Sequence, residues 1–130
     1  MCKNLFSIFA LLLSIVPNIA NAQTISLICN GYVQNKDIKG TASGATTIDL
    51  DRQTVSSPVG DFRVLSVDDR SISFNGLQNQ LTVFGNIDRF TGRMTVFWYQ
   101  PQEYAKVQAG QQARFEMYGE LSCTPSRRLF

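Results

Sequence analysis

The chain has no histidine, and its 130 residues include one tryptophan, four prolines and three cysteines. Without histidine, the commonest general base and the commonest metal ligand at neutral pH are missing. Charge is also scarce. Only 17% of residues are charged, 12 basic against 10 acidic, for a net charge of +2. So even a balance provides no clustered basic surface for nucleic acid. At 44% hydrophobic residues the chain is too apolar for a disordered protein, and its length fits one domain. Beyond Val16 there is no apolar run approaching the ~20 residues that a membrane-spanning helix needs.

What is present falls into two parts. Lys3 precedes an apolar run from Leu5 to Val16, which Pro17 and Asn18 end, and Ala20-Asn21-Ala22 follows. An early cation, a short apolar stretch and small residues at positions −3 and −1 of a cut mark a secretory signal peptide. The expectation is a leader over 1–22 and a single mature domain over 23–130, in the periplasm or secreted. Cys2 lies before the apolar run and Cys29 follows Ser26-Leu27-Ile28, so neither has the setting of a lipid anchor. The mature part is about 39% hydrophobic, with net charge +1 and two cysteines, Cys29 and Cys123. In an oxidising compartment these two are expected as a disulfide. It would close nearly the whole domain into one loop, worth about 4–5 kcal/mol on a chain-entropy treatment. A redox-active pair would stand closer together, as in C-x-x-C.

The dominant hydrophobic period of the mature part is two. It runs through Ile25, Leu27 and Cys29, then Ile48 and Leu50, then Ile72 and Phe74. Leu81, Val83, Gly85 and Ile87 continue it, followed by Met94, Val96 and Trp98, and finally by Phe115, Met117, Gly119, Leu121 and Cys123. Alternation in short runs rich in Val, Ile, Phe and Thr predicts half-buried strands. Eight are expected, near 24–34, 46–50, 53–57, 61–67, 71–75, 80–88, 93–99 and 112–123. Asp51-Arg52, Asp68-Asp69-Arg70 and Asp88-Arg89-Phe90-Thr91-Gly92 separate successive runs. An aspartate opening a tight turn accepts hydrogen bonds from N–H groups two residues on, and Gly92 can take the positive φ of a bulged hairpin. Pro58-Val59-Gly60 and Asn75-Gly76 mark further connections. Lys36 to Ala45, small and polar, reads as an exposed loop. For 101–110 a long hairpin loop is preferred; the alternative is one short helix with Pro101 at its start and Gly110 past its end.

Cys29 shares its phase with Ile25 and Leu27, and Cys123 shares its phase with Phe115, Met117 and Leu121. Both therefore point into the apolar interior, and a bridge needs Cα atoms only ~4.4–6.8 Å apart. The first and last strands must then meet. This predicts an all-β fold, a small closed or nearly closed antiparallel barrel of about eight strands with its first and last strands disulfide-linked. A two-sheet sandwich is the alternative. An outer-membrane barrel would need strands of ~9–11 residues with a lipid-facing apolar band, and Pro125 breaks a terminal strand.

Two stretches carry a resemblance. Gly85-Asn86-Ile87-Asp88-Arg89-Phe90-Thr91-Gly92 and Cys123-Thr124-Pro125-Ser126-Arg127-Arg128-Leu129-Phe130 resemble a group of small secreted alphaproteobacterial β-proteins. These pair a G-x-I-[DN]-R-x-T-G hairpin with a terminal C-x-P-x-x-R-x-F. The resemblance implies export and architecture, and carries no activity or functional residue. Ser43-Gly44-Ala45 and Phe97-Trp98 are also similar, in type and order, to motifs of the periplasmic inhibitors of C-type lysozyme. Here the two lie some fifty residues apart, and Thr46 and Thr47 stand where an aromatic or basic residue belongs.

The residue inventory points away from catalysis. Nucleophilic chemistry needs a base beside Ser, Thr or Cys, and no recognisable motif provides one. Glu116 and Glu120 on one strand would lie about 13 Å apart at ~3.3 Å per residue, beyond the ~5–9.5 Å of paired glycosidase carboxylates. Asp49 and Asp51 do not make a calcium loop. No catalytic residue, cofactor or metal site is therefore assigned. Arg127-Arg128 reads as a solvated tail. The aromatics carry more. If Trp98 faces inward, Phe97 and Tyr99 face outward, and Tyr118, out of phase with Met117, joins them from the last strand. Phe97, Tyr99 and Tyr118, with Tyr104 from the loop, form the candidate binding surface. The expected function is non-enzymatic binding of an envelope protein or glycan, with no nucleic-acid partner. One alternative is inhibition of C-type lysozyme through an exposed Ser43-Gly44-Ala45 loop. The other is an enzyme of unrecognised type.

Overall fold

The computed structural model describes residues 24–126, so the expected leader over 1–22 and the Arg127-Arg128 tail lie outside the described residues. The strands are β1 (Thr24–Gln34), β2 (Lys39–Asp49), β3 (Thr54–Ser57), β4 (Gly60–Val67), β5 (Ser71–Gln78), β6 (Leu81–Asp88), β7 (Arg93–Tyr99) and β8 (Met117–Pro125). A helix, α1 (Pro101–Gln108), lies between β7 and β8. Each strand pairs antiparallel with the next, and β8 returns to β1, so the sheet is a closed barrel and not a sandwich. At that seam Cys29 and Cys123 are register partners and are disulfide-bonded.

Alternation fills the inside. Ile72 and Phe74 on β5, Val83 and Ile87 on β6, and Met94, Val96 and Trp98 on β7 are all buried. The Phe62 and Phe74 rings stack with centroids 5.2 Å apart. A side chain at Gly85 would collide with the Phe74 ring, so this glycine makes room for the core. Apolar residues face inward and polar residues mostly outward, the reverse of a barrel whose outside meets lipid.

The two ends of the barrel differ. At one, three turns are each closed by an aspartate carboxylate. Asp49 accepts from the N–H groups of Asp51 and Arg52, Asp68 from Arg70 and Ser71, and Asp88 from Phe90 and Thr91. Gly92 has φ +76° and its C=O accepts from the Cys123 N–H, which ties the β6–β7 turn to the seam. The β1–β2 turn, the β3–β4 and β5–β6 turns, and α1 lie at the other end.

Four expectations are corrected. Residues 36–45 are not a loop, because β2 pairs with β1 from Gln34↔Lys39 to Thr24↔Asp49. The turn spans only 35–38, where the Asn35 side chain accepts from the Asp37 and Ile38 N–H groups. The first half of β2, before Thr46 and Ile48, lacks large inward residues because the neighbouring structure fills its space: Gly44 faces Cys29, and a Cβ there would already sit 3.4 Å from Pro58 Cγ. Asn75-Gly76 lies within β5. The turn comes later, at Asn79 (φ 51°) and Gln80 (φ 67°), consecutive positive angles of the kind a two-residue hairpin turn adopts. Gly76 leaves room instead for the Phe62 ring, 3.0 Å from where its Cβ would be. The 101–110 segment forms the helix and not the preferred loop, with Pro101 in the first turn and Gly110 (φ 73°) beyond the end. Finally, β8 begins at Met117 and not near 112, so Phe115 is 52% exposed and outside the core. The preceding segment is held partly by α1, since the Arg114 N–H donates to the Glu103 carboxylate.

Candidate functional site

Strand phase and register place the outward aromatics side by side. Tyr118 on β8 is the register partner of Phe97 on β7, which is also the partner of Phe84 on β6. Phe97 lies 5.2 Å from Tyr118 and 6.0 Å from Tyr99, centroid to centroid. Tyr104, from α1, lies 6.2 Å from Tyr99, and Phe115 lies 5.3 Å from Phe97. Tyr32 on β1 closes the group, 6.3 Å from Tyr118. Most of these pairs are tilted, the arrangement that aromatic quadrupoles favour.

All four expected surface residues, Phe97, Tyr99, Tyr104 and Tyr118, therefore come together, but they are not equally accessible. Tyr99 is only 8% exposed, with Tyr104 packed beside it, whereas Phe97, Tyr104 and Tyr118 are half-buried. Two further rings join them outside the expected set: Tyr32, which is half-buried like Tyr118, and Phe115, the exposed member of the group. The phase of Tyr32, opposite to Cys29, and the contact of first with last strand would have found it. The inward phase expected for Phe115 does not apply, because β8 begins only at Met117.

Polar groups border the aromatic face. The Tyr32 hydroxyl donates to Glu120 Oε2 at 3.0 Å, and Arg93 Nε lies 3.3 Å from Glu120 Oε1. Lys39 Nζ sits 4.1 Å from the centre of the Tyr32 ring, a cation–π contact. The hydrogen bond to Glu120 raises the Tyr32 pKa; burial, followed by the nearby Glu120 charge, raises that of Tyr118. Burial also raises that of Tyr99, with a smaller contribution from Tyr104. These three phenols stay neutral and able to donate at neutral pH.

Beside this face, at the end of the barrel away from the aspartate turns, an open groove of about 1020 Å³ runs between the β1–β2 turn and α1. Phe115 lines it as well, so the groove and the aromatic face are continuous. Leu81 and Met117 supply its apolar part, packed against the core. Glu103 in its wall is held by Lys106 at 2.7 Å and by the Arg114 N–H, and both hydrogen bonds lower its pKa.

The remaining candidates are not brought to a site. Ser43, Gly44 and Ala45 lie within β2, paired with Asn30, Cys29 and Ile28, and Thr46 beside them is completely buried. Glu116 precedes β8, while Glu120 lies within it. Among the described residues no three Cys, Asp or Glu side chains converge as a metal site, and no helix is long and apolar enough to cross a membrane.

Fold and surface together define a small, disulfide-closed antiparallel barrel with a filled interior and an aromatic outer face. No family model, curated protein or solved structure matches the chain.

Proposed function

We propose that this is an exported, non-enzymatic barrel that binds an envelope protein through the outer face of β1, β8 and β7. The observation that carries the reading is the cluster of Tyr32, Phe97, Phe115 and Tyr118, packed ring to ring, with Arg93 and Glu120 at its border. Rigid Tyr and Phe with a bordering Arg is the composition of energetic centres at protein interfaces. The interior is packed with side chains such as Trp98, Phe74 and Met94, which directs binding to the outside. Five of the ten acidic groups are engaged structurally: Glu120 with Tyr32 and Arg93, Glu103 with Lys106, and Asp49, Asp68 and Asp88 with turn N–H groups. That supports binding without catalysis. The disulfide supports an oxidising compartment, in keeping with the leader pattern at the start of the chain.

The test is capture from an envelope extract by the mature, oxidised protein and by its Tyr32→Ala plus Tyr118→Ala variant. The reading expects a discrete protein partner whose recovery falls at least tenfold with the variant. Recovery that is equal for both proteins would refute it.

A further inference from the structure

We infer that the groove between the β1–β2 turn and α1 is a binding site for an uncharged oligosaccharide. It adjoins the aromatic face through Phe115 but stands on its own lining. Its charged side chains are Lys36, Lys106 and Arg114 against Asp37, Glu103 and Glu116. The signs cancel, so the groove has no net attraction for a polyanion such as nucleic acid or a sulfated glycan. Between the charges it presents carboxamides from both sides, Gln34 and Asn35 on one and Gln100 and Gln102 on the other. A carboxamide carries donors and acceptors together, matching the paired hydroxyls of a sugar ring, which donate and accept at once. Asn35 uses its oxygen to close the β1–β2 turn, which leaves its NH₂ directed outward from that bond. Among the described residues, the side chains of Gln34, Gln100 and Gln102 are not spent on internal hydrogen bonds.

The same groove is poorly made for an extended peptide. The barrel is closed, so no strand edge is available there for a peptide to extend the sheet. Its apolar lining is limited to Leu81, Met117 and Phe115, too few for a row of side-chain pockets. Phe115 has a different use. Its ring is half-exposed and is braced from behind by Phe97 at 5.3 Å and Tyr118 at 6.0 Å. A fixed aromatic plane at the edge of a hydrogen-bonding groove gives the C–H face of a sugar a surface to stack on, while its hydroxyls meet the amides. At about 1020 Å³ the groove lies at the upper end of ordinary small-ligand sites, room for several linked sugar units.

The experiment titrates the mature, oxidised protein with cellohexaose, maltohexaose and chitohexaose, with a heparin hexasaccharide as the charged control, following backbone amides by NMR. The inference expects saturable binding of at least one neutral hexasaccharide, with shifts confined to 34–37, 100–106 and 114–117. It also expects affinity to fall about tenfold or more both in Phe115→Ala and in Gln34→Ala plus Gln102→Ala, which are surface changes. Binding should persist in Tyr32→Ala, which opens the aromatic face but leaves Phe115, its two bracing rings and the amides of the groove. No shift from any neutral hexasaccharide, binding of heparin alone, or binding lost in the tyrosine variant yet intact in the glutamine variant would each overturn the assignment.

Discussion

Tyr32 on β1 donates a hydrogen bond to Glu120, its register partner on β8, at 3.0 Å. The seam that Cys29 and Cys123 close inside the barrel is thus also tied on its outer surface, at the border of the aromatic face. All four tyrosines of the chain, Tyr32, Tyr99, Tyr104 and Tyr118, belong to this cluster. Tyrosine spectroscopy therefore reports on the face alone.

A first prediction concerns alkaline pH. Tyr32, Tyr99 and Tyr118 have pKa values raised above the ordinary 10.0. Ionisation is thus harder in the folded protein than in the unfolded chain. The stabilisation is fully present below pH about 10 and is lost as pH rises through the raised folded values. A phenolate absorbance titration should show most of the signal appearing above pH 10 in the native protein, and at about 10 in denaturant. Coincident curves would contradict this.

A second prediction concerns closure. Cys29 and Cys123 are 94 residues apart in sequence, so removing their bridge frees most of the domain in the unfolded state. Cys29→Ala with Cys123→Ala should lower stability by about 4–5 kcal/mol, read as a shift in the urea midpoint. A loss under about 1 kcal/mol would mean that strand pairing alone holds the seam.

Thr46 supplies a third prediction. Its hydroxyl is completely buried and has no hydrogen-bond partner among the described residues. Thr46→Val, which replaces the hydroxyl by a methyl group, should stabilise the protein by about 1 kcal/mol. Destabilisation in the same urea experiment would contradict the assignment.

Gln78 supplies a fourth. It accepts from Trp98 Nε1 at 2.6 Å and donates to the Val59 carbonyl at 3.0 Å, linking the ends of β5 and β7 to the β3–β4 turn at the mouth of the barrel. Trp98 is 2% exposed, so Gln78→Leu leaves its indole N–H without a partner, at a cost of about 1–3 kcal/mol. Unchanged stability would show that the link is not needed.

Much of the architecture was legible in the residues. Alternation in 81–88 and 93–99 located β6 and β7, and the phase of Cys29 and Cys123 required the first and last strands to meet. The same phase argument placed Phe97 and Tyr118 on one outer face. The strand expected over 46–50 covers only the second half of β2; the first half escaped because its inward positions Ala42 and Gly44 are small, which erases the apolar half of the alternation. The reason lies elsewhere in the chain, in Pro58 and the disulfide across from Gly44. The burial of Tyr99 was equally hidden, since it depends on α1 bringing Tyr104 over it. The groove is assembled from the β1–β2 turn, α1 and the lead-in to β8, segments with no common sequence pattern.

The central claim is that the Tyr32–Tyr118 face is where this barrel meets its partner. The most direct measurement places a photo-crosslinking phenylalanine at Tyr32 in living cells, and separately at the exposed Thr54 on β3, two strands round the barrel and at its other end. The account predicts one discrete adduct from position 32 and none from position 54. The same adduct from both positions, or an adduct from 54 alone, would contradict it.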